Sequence, residues 1–215
     1  MVYPSWYRSL FVLSLVAAVS FSAVPEEARA QRWLQTATVQ TPVDEGTAAK
    51  AVLDTLQGMS RADEVMVRRA PDSDEQMTIP ELSDELLNSG FAFRSVSHLY
   101  IDYRFVIGNQ GFQQKITGLE FISRPAGGGE DVPILYLNAR KDWVKKFLQS
   151  KGTPLESNLA TLIPFSDQLA FARLARRGDD TVVTQKGGEI IRGDDQALTA
   201  KKDLLNQVIR LTYSQ

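Results

Sequence analysis

His98, Tyr100, Asp102 and Arg104 stand two residues apart in a single run of this 215-residue chain. An imidazole, a phenol, a carboxylate and a guanidinium together make an acid–base set with a fixed cation. A period of two puts all four on one face of a β-strand, with neighbours about 7 Å apart. That spacing suits a small polar ligand. It is also what the water-facing side of an antiparallel sheet looks like. His98 is the only histidine. Histidine-rich zinc sites and the paired-histidine metalloprotease motif are therefore out of reach, and any Ser–His–Asp triad would have to use His98. No Gly-x-Ser-x-Gly elbow accompanies it. No catalytic residue is assigned, and no metal ligand or cofactor is expected.

Three other patterns bear on chemistry. Gly127-Gly128-Gly129 is the densest glycine run. A phosphate cradle needs its glycines between the end of a strand and the start of a helix, where free N–H groups and the helix dipole meet the anion. Here Glu130 and Asp131 follow at once, then Pro133 and an apolar strand-like run, so the glycines read as a hairpin tip. Acids gather at Asp72, Asp74 and Glu75, and in the pairs Glu130-Asp131, Asp179-Asp180 and Asp194-Asp195. Oxygen-rich loops can hold calcium, so Asp72, Asp74 and Glu75 offer the reading of a calcium-dependent module, but no twelve-residue EF-hand loop is present, and caps and solvated turns suit these acids better. Basic clusters stand at Arg140-Lys141, Lys145-Lys146 and Arg173-Arg176-Arg177, with Trp143 inside the first group. With 24 basic against 26 acidic residues and a net charge of −2, the chain lacks the balance of a general nucleic-acid binder, and no nucleic-acid partner is expected. These clusters read as wet helix faces, or as a docking patch for an acidic partner.

The elements that position these residues follow from periodicity and punctuation. Thr47 caps a first helix with Ala48, Ala51, Val52, Leu56 and Met59 on its stripe. Thr78 and Glu81 have capping-box spacing for a second, with Leu82, Leu86 and Leu87 inward and Gly90 as its stop. Residues 64–69 suit a short strand or a further helical turn, and residues 70–76 a polar loop. From 95 to 107 odd positions are apolar and even positions polar, which predicts a long half-buried strand. A turn at 108–111 leads into a second strand over 112–124. Its apolar phase slips around Gly118, which predicts a β-bulge. Residues 132–139 make a third strand, apolar enough for burial on both faces. Helices follow over 142–151, with Val144, Phe147 and Leu148 inward, and over 165–178, capped by Ser166. A hairpin turns at Gly187-Gly188. A closing helix, capped by Asp194 or Asp195, carries Leu198, Leu205, Val208, Ile209 and Thr212. Arg192-Gly193-Asp194 belongs to that turn and cap. Strands joined by turns predict an α+β fold: an antiparallel sheet, built from a meander over 95–138 plus the C-terminal hairpin, with helices packed on one face.

The N-terminus sets the compartment. Arg8 precedes the apolar residues 10–24, and Ala28-Arg29-Ala30 offers small residues where a signal peptidase reads them. An apolar run of about 15 residues is short of the roughly 20 a spanning helix needs. Residues 1–30 are thus expected to be a cleaved secretory signal peptide, with an uncleaved anchor as the competing reading. Residues 31–46 would be a linker or loose N-terminal arm and 47–215 a single α+β domain, with no transmembrane span after cleavage. The chain has no cysteine, so a lipobox and a disulfide framework are both impossible, which suits a periplasmic or secreted bacterial protein better than a small extracellular eukaryotic domain. The resulting expectation is an exported, non-catalytic binding or assembly protein of a bacterial cell envelope, with an envelope protein as partner. The alternative is a small polar-ligand binder or enzyme using His98, Tyr100, Asp102 and Arg104.

Overall fold

The computed structural model describes residues 33–59, 65–108, 111–125, 130–155, 158–178 and 180–213. The expected signal peptide at 1–30, the glycine run at 127–129 and residues 109–110 of the expected turn lie outside the described residues.

The expected meander is present. Strands β4 (His98–Gly108), β5 (Gly111–Ser123) and β6 (Val132–Asn138) pair antiparallel in sequence order. Leu99, Ile101, Tyr103 and Phe105 of β4 are buried, and the even positions form the outer face. The phase slip in β5 is a bulge. Asp102 pairs with Gly118 but Tyr103 pairs with Ile116, which leaves Thr117 as the extra residue. Inserting one residue restores the inward phase, so Ile116 before it and Leu119 and Phe121 after it all reach the same core.

The sheet is wider than the meander and the C-terminal hairpin. Residues 33–42, expected within a linker or loose arm, form strand β1 (Trp33–Pro42). It lies between β4 and β9 (Val182–Lys186), giving a six-stranded antiparallel order β10-β9-β1-β4-β5-β6, where β10 is Glu189–Ile190. Ala37, Val39 and Thr41 point inward and are buried. Small and hydroxylated residues carry the alternation, so its hydrophobic contrast is weak although Thr and Val favour strands.

Helices α1 (Ala48–Gln57) and α2 (Ile79–Asn88) start as their caps predict. The Thr47 hydroxyl accepts the Lys50 N–H at 3.1 Å, and Thr78 and Glu81 form a reciprocal capping box. Leu87 is an exception, with 62% exposure against full burial of Leu82 and Leu86. A short hairpin, β2 (Met66–Val67) with β3 (Met77–Thr78), precedes α2, and Arg68 bridges from it to Tyr136 on the outer edge of β6. After α3 (Asp142–Ser150) comes a hairpin that the glycine and proline signals at 152–154 did not announce: β7 (Gly152–Leu155) with β8 (Asn158–Pro164).

Residues 165–178 do not form one helix. They make two single turns, α4 (Phe165–Gln168) and α5 (Phe171–Leu174), and Ser166 is not a cap. Phe165, Leu169, Phe171, Leu174 and Ala175 are all buried, and on one continuous helix they would spread around the cylinder. Breaking at Leu169-Ala170 lets all five face inward. The break is held by the Tyr103 hydroxyl, which donates to the Leu169 carbonyl at 2.5 Å, and by the Phe171 N–H, which donates to Gln114 Oε1 at 3.2 Å.

The closing helix α6 (Asp194–Tyr213) buries Ala197, Lys201, Leu204 and Val208. This stripe is rotated from the expected one, and Thr212 is exposed. Asp194 and Asp195 sit in its first turn rather than capping it. Lys201 Nζ donates to the Gly178 carbonyl at 2.8 Å, which explains why a lysine can occupy a buried position. The apolar sides of α1 to α5 and the inward side chains of the sheet form one continuous core, joined by Leu204 and Val208. Tyr103, Phe105 and Phe171 meet at its centre with ring centroids 5.6–5.9 Å apart. Among the described residues no helix is long and apolar enough to cross a membrane.

Candidate functional site

The strand β4 does put His98, Tyr100, Asp102 and Arg104 on one face of the sheet, opposite the core. It does not bring them together. Each is drawn to a different neighbour supplied by the flanking strands β1 and β5 and by the β5–β6 loop.

Tyr100 belongs to a clamp at the stem of the glycine loop. Arg124 follows the end of β5 and Asp131 immediately precedes β6. The guanidinium grips the carboxylate with two bonds, Nε to Oδ1 at 2.8 Å and Nη2 to Oδ2 at 2.9 Å. The same Nη2 reaches the Tyr100 hydroxyl at 3.0 Å and Gln40 Oε1 at 3.3 Å, and Tyr100 donates to Asp131 Oδ2 at 2.9 Å. Arg124 holds the Asp131 carboxyl below the usual carboxylate range, chiefly through these hydrogen bonds. The Tyr100 phenol is pushed up to about 12, first by burial and then by its bond to Asp131. A phenol in that state keeps its proton, donates a hydrogen bond through it to Asp131, and is not available as a base.

His98 sits beside this clamp. Its Nδ1 lies 2.9 Å from Ser97 Oγ, and that oxygen accepts the Arg124 N–H at 3.0 Å. A serine–histidine contact invites a hydrolase reading, but the geometry is that of a strand-end turn. The partners are adjacent in sequence, one lone pair of the hydroxyl is taken by backbone, and among the described residues no carboxylate bonds the other ring nitrogen. Burial, with Arg124 behind it, lowers the imidazole's proton affinity. Ile122, paired with His98 and with Pro133 on this same face, is 1% exposed, so this end of the face is covered.

Asp102 is the next step along. Its Oδ1 accepts the Thr38 hydroxyl at 2.7 Å at the floor of a small hollow of about 190 Å³, which Gln185 and Thr117 also line. Gly118 opposite explains the room it has. A Cβ there would stand 2.7 Å from Asp102 Oδ2 and 3.2 Å from the Tyr136 hydroxyl. Glu120, set between Tyr100 and Tyr136 in the register, is raised above the usual carboxylate range, first by burial and then by the charges of Asp102, Asp72 and Asp131. Arg104 is exposed at the far end, directly across from Lys115, and lines a separate cleft.

The face is thus three neighbourhoods in a row. Sequence spacing identifies members of each and misses their partners. Arg124 and Asp131 lie in loop stems, where no period operates. Gln40 and Thr38 lie in β1, whose alternation is too weak to read, and Ser97 precedes the strand proper. Among the described residues no three Asp, Glu or His side chains come together as metal ligands, and Asp72, Asp74 and Glu75 form no such group. No family model matches the sequence, and no curated protein matches it at a significant level.

Proposed function

We propose that the protein is an exported, non-catalytic binding or assembly protein of a bacterial cell envelope. One observation carries the non-catalytic part. At the His98 end Tyr100, Asp131 and Arg124 are taken up by one another, the Ser97 hydroxyl accepts the Arg124 N–H, and no described carboxylate orients the His98 imidazole for proton transfer. A catalytic set keeps a proton or a lone pair free for substrate. Here the set is used to tie off a loop. The leader-like N-terminus and the absence of thiols support the exported part.

The test is fractionation of the producing cells followed by cross-linking before lysis. The expected result is a chain that has lost residues 1–30, found outside the cytoplasm and captured in a complex larger than itself. Recovery in the cytoplasm at full length, or only ever as a free monomer, overturns the reading.

Glu120 favours a second reading, that of a small polar-ligand site on this face. Its side chain makes no hydrogen bond to any described residue, and its carboxyl holds a proton more readily than usual. The two readings separate on Glu120→Gln. A ligand site loses binding, whereas a structural carboxylate changes only stability.

A further inference from the structure

Arg104 and Lys115 face each other directly across β4 and β5. Like charges in that position repel at close quarters and destabilise a sheet. Neither has an ion pair with a described residue. The ion pairs among the described residues join Lys50 to Glu45 and Asp54, Arg69 to Glu85, Arg124 to Asp131 and Lys145 to Asp142. The two cations open onto a cleft of about 690 Å³. Residues 114–117, four in succession on β5, line it. Successive residues of a strand point to opposite faces, so only the strand's edge can present all four to one space. That edge is open over 114–116, because β6 pairs with β5 only from Gly118 onward and the Thr117 carbonyl accepts the Ala139 N–H.

The opposite wall adds two more cations. Arg140 comes from the turn after β6 and Lys145 from α3, each from a basic cluster that the fold otherwise leaves unexplained. Arg140, like Arg104 and Lys115, has no ion-pair partner among the described residues, and Lys145 has only the highly exposed Asp142 at 3.0 Å. Such an exposed pair contributes little to stability and is readily exchanged. The hydroxyl of Ser166 and the amide of Gln149 complete the polar lining, Ile116 and Leu148 give it an apolar floor, and no described carboxylate lines it.

We propose that this cleft binds a compact polyanion of the phosphoryl class, with the phosphoryl group between Arg104, Lys115 and Arg140 and an uncharged portion of the ligand against Ile116 and Leu148. Four cations on separate elements converge on one concave space whose lining holds no counter-charge. Guanidinium groups match phosphoryl oxygens with two parallel bonds, and lysine supplies a point charge. The volume lies in the range of small-molecule sites. Pairing of this edge with a second copy of itself would bring the Lys115 side chains together, so the charge that attracts an anion also discourages self-association. The inference goes beyond the envelope-binding reading and is tested on purified protein with no partner present, so either can fail without the other.

Inorganic pyrophosphate is the probe, titrated by calorimetry and by thermal melting against sodium chloride at matched ionic strength. The expected result is saturable binding and a rise in melting temperature that chloride does not reproduce. Lys115→Gln and Arg140→Gln each weaken binding about tenfold or more, the loss of one charge-assisted contact. Free of ligand, Lys115→Gln melts no lower than the parent, because it relieves a repulsion. Arg192→Gln, remote from the cleft, leaves binding unchanged. A parallel arm uses phosphatidylcholine vesicles with and without phosphatidic acid. Co-sedimentation that needs both phosphatidic acid and Lys115 assigns the phosphoryl group to a lipid, and pyrophosphate binding without co-sedimentation assigns it to a soluble ligand. The proposal is overturned if pyrophosphate acts no better than chloride and vesicles do not bind, or if Lys115→Gln and Arg140→Gln bind like the parent.

Discussion

Two carboxylates on the outer face respond to pH in opposite directions. Asp131 is held below its usual range by Arg124, so the native state prefers it ionised. Its contribution is present above the unfolded value of about 4 and is lost as pH falls through the lower, folded one. Glu120 is raised by burial and by its acidic neighbours, so the native state prefers it protonated. Stability on its account is present in acid and is lost as pH rises through its folded value. Asp131→Asn is therefore expected to lower the melting temperature at pH 7 and to have no effect in strong acid. Glu120→Gln is expected to raise it at pH 7, with the gain disappearing below about pH 4. Both groups are partly solvated, so each change stays within about 1 kcal/mol, or ~2–4 °C for a chain of this length. Melting curves of the two variants at both pH values decide this, and parallel shifts would contradict it. Arg124→Lys tests the fork itself. It keeps the charge but loses the two-bond grip on Asp131 and the reach to Tyr100 and Gln40. It is expected to melt ~2–4 °C below the parent, close to Arg124→Ala.

Elements are legible where a periodic signal is strong and locally complete. The β4 alternation, the Thr78–Glu81 capping box, the slip at Gly118 and the Gly187-Gly188 turn, with φ of +60° and +89°, all appear in the fold. The misreadings share one cause, tertiary context overriding a weak local signal. Strand β1 is hidden by its threonines. The 165–178 segment has helical content, but its apolar residues demand a break that only the Tyr103 and Gln114 partners reveal. The candidate site follows the same rule. Spacing finds its β4 members, whereas Arg124, Asp131, Thr38 and Gln40 come together only through the fold. Two glycines give element-scale tests. Gly118→Ala puts a Cβ 2.7 Å from Asp102 Oδ2, a side-chain atom that has to move, and is expected to cost about 1–3 kcal/mol. Gly152→Ala drives its Cβ onto the Ile163 carbonyl, which is backbone and cannot step aside. Denaturant titration is expected to find Gly152→Ala the more damaging, and the reverse order would put the β7–β8 hairpin in doubt.

At the scale of the molecule, α6 contributes few core residues, yet they reach far. It packs on β9 and joins the core through Leu204 and Val208, while Lys201 ties it to the loop after α5. Leu204 is fully buried, so Leu204→Ala is expected to cost about 2–4 kcal/mol, a large share of the stability of a domain this size. Circular dichroism melts measure it. A change under about 1 kcal/mol would mean that α6 is an appendage and that the fold ends at β10. The sheet is finished differently at its two sides. One side ends in the two-residue strand β10, and the other is partly covered where Arg68 bridges to Tyr136. The open stretch of β5 beside the basic cleft carries Lys115, a residue that keeps exposed edges from pairing indiscriminately.

The place of β1 governs the order in which the chain can be completed. One of its neighbours, β4, begins at His98, but the other, β9, is not made until residues 182–186. A chain that emerges N-terminus first holds β1 with one side unsatisfied until residues 182–186 are available. The sheet therefore closes last and late, through contacts separated by more than 140 residues, the kind that slow a folding reaction most. Up to that moment the sheet is half built. A fragment ending before Val182 would keep β1 as an exposed edge, ready to pair with any strand it meets.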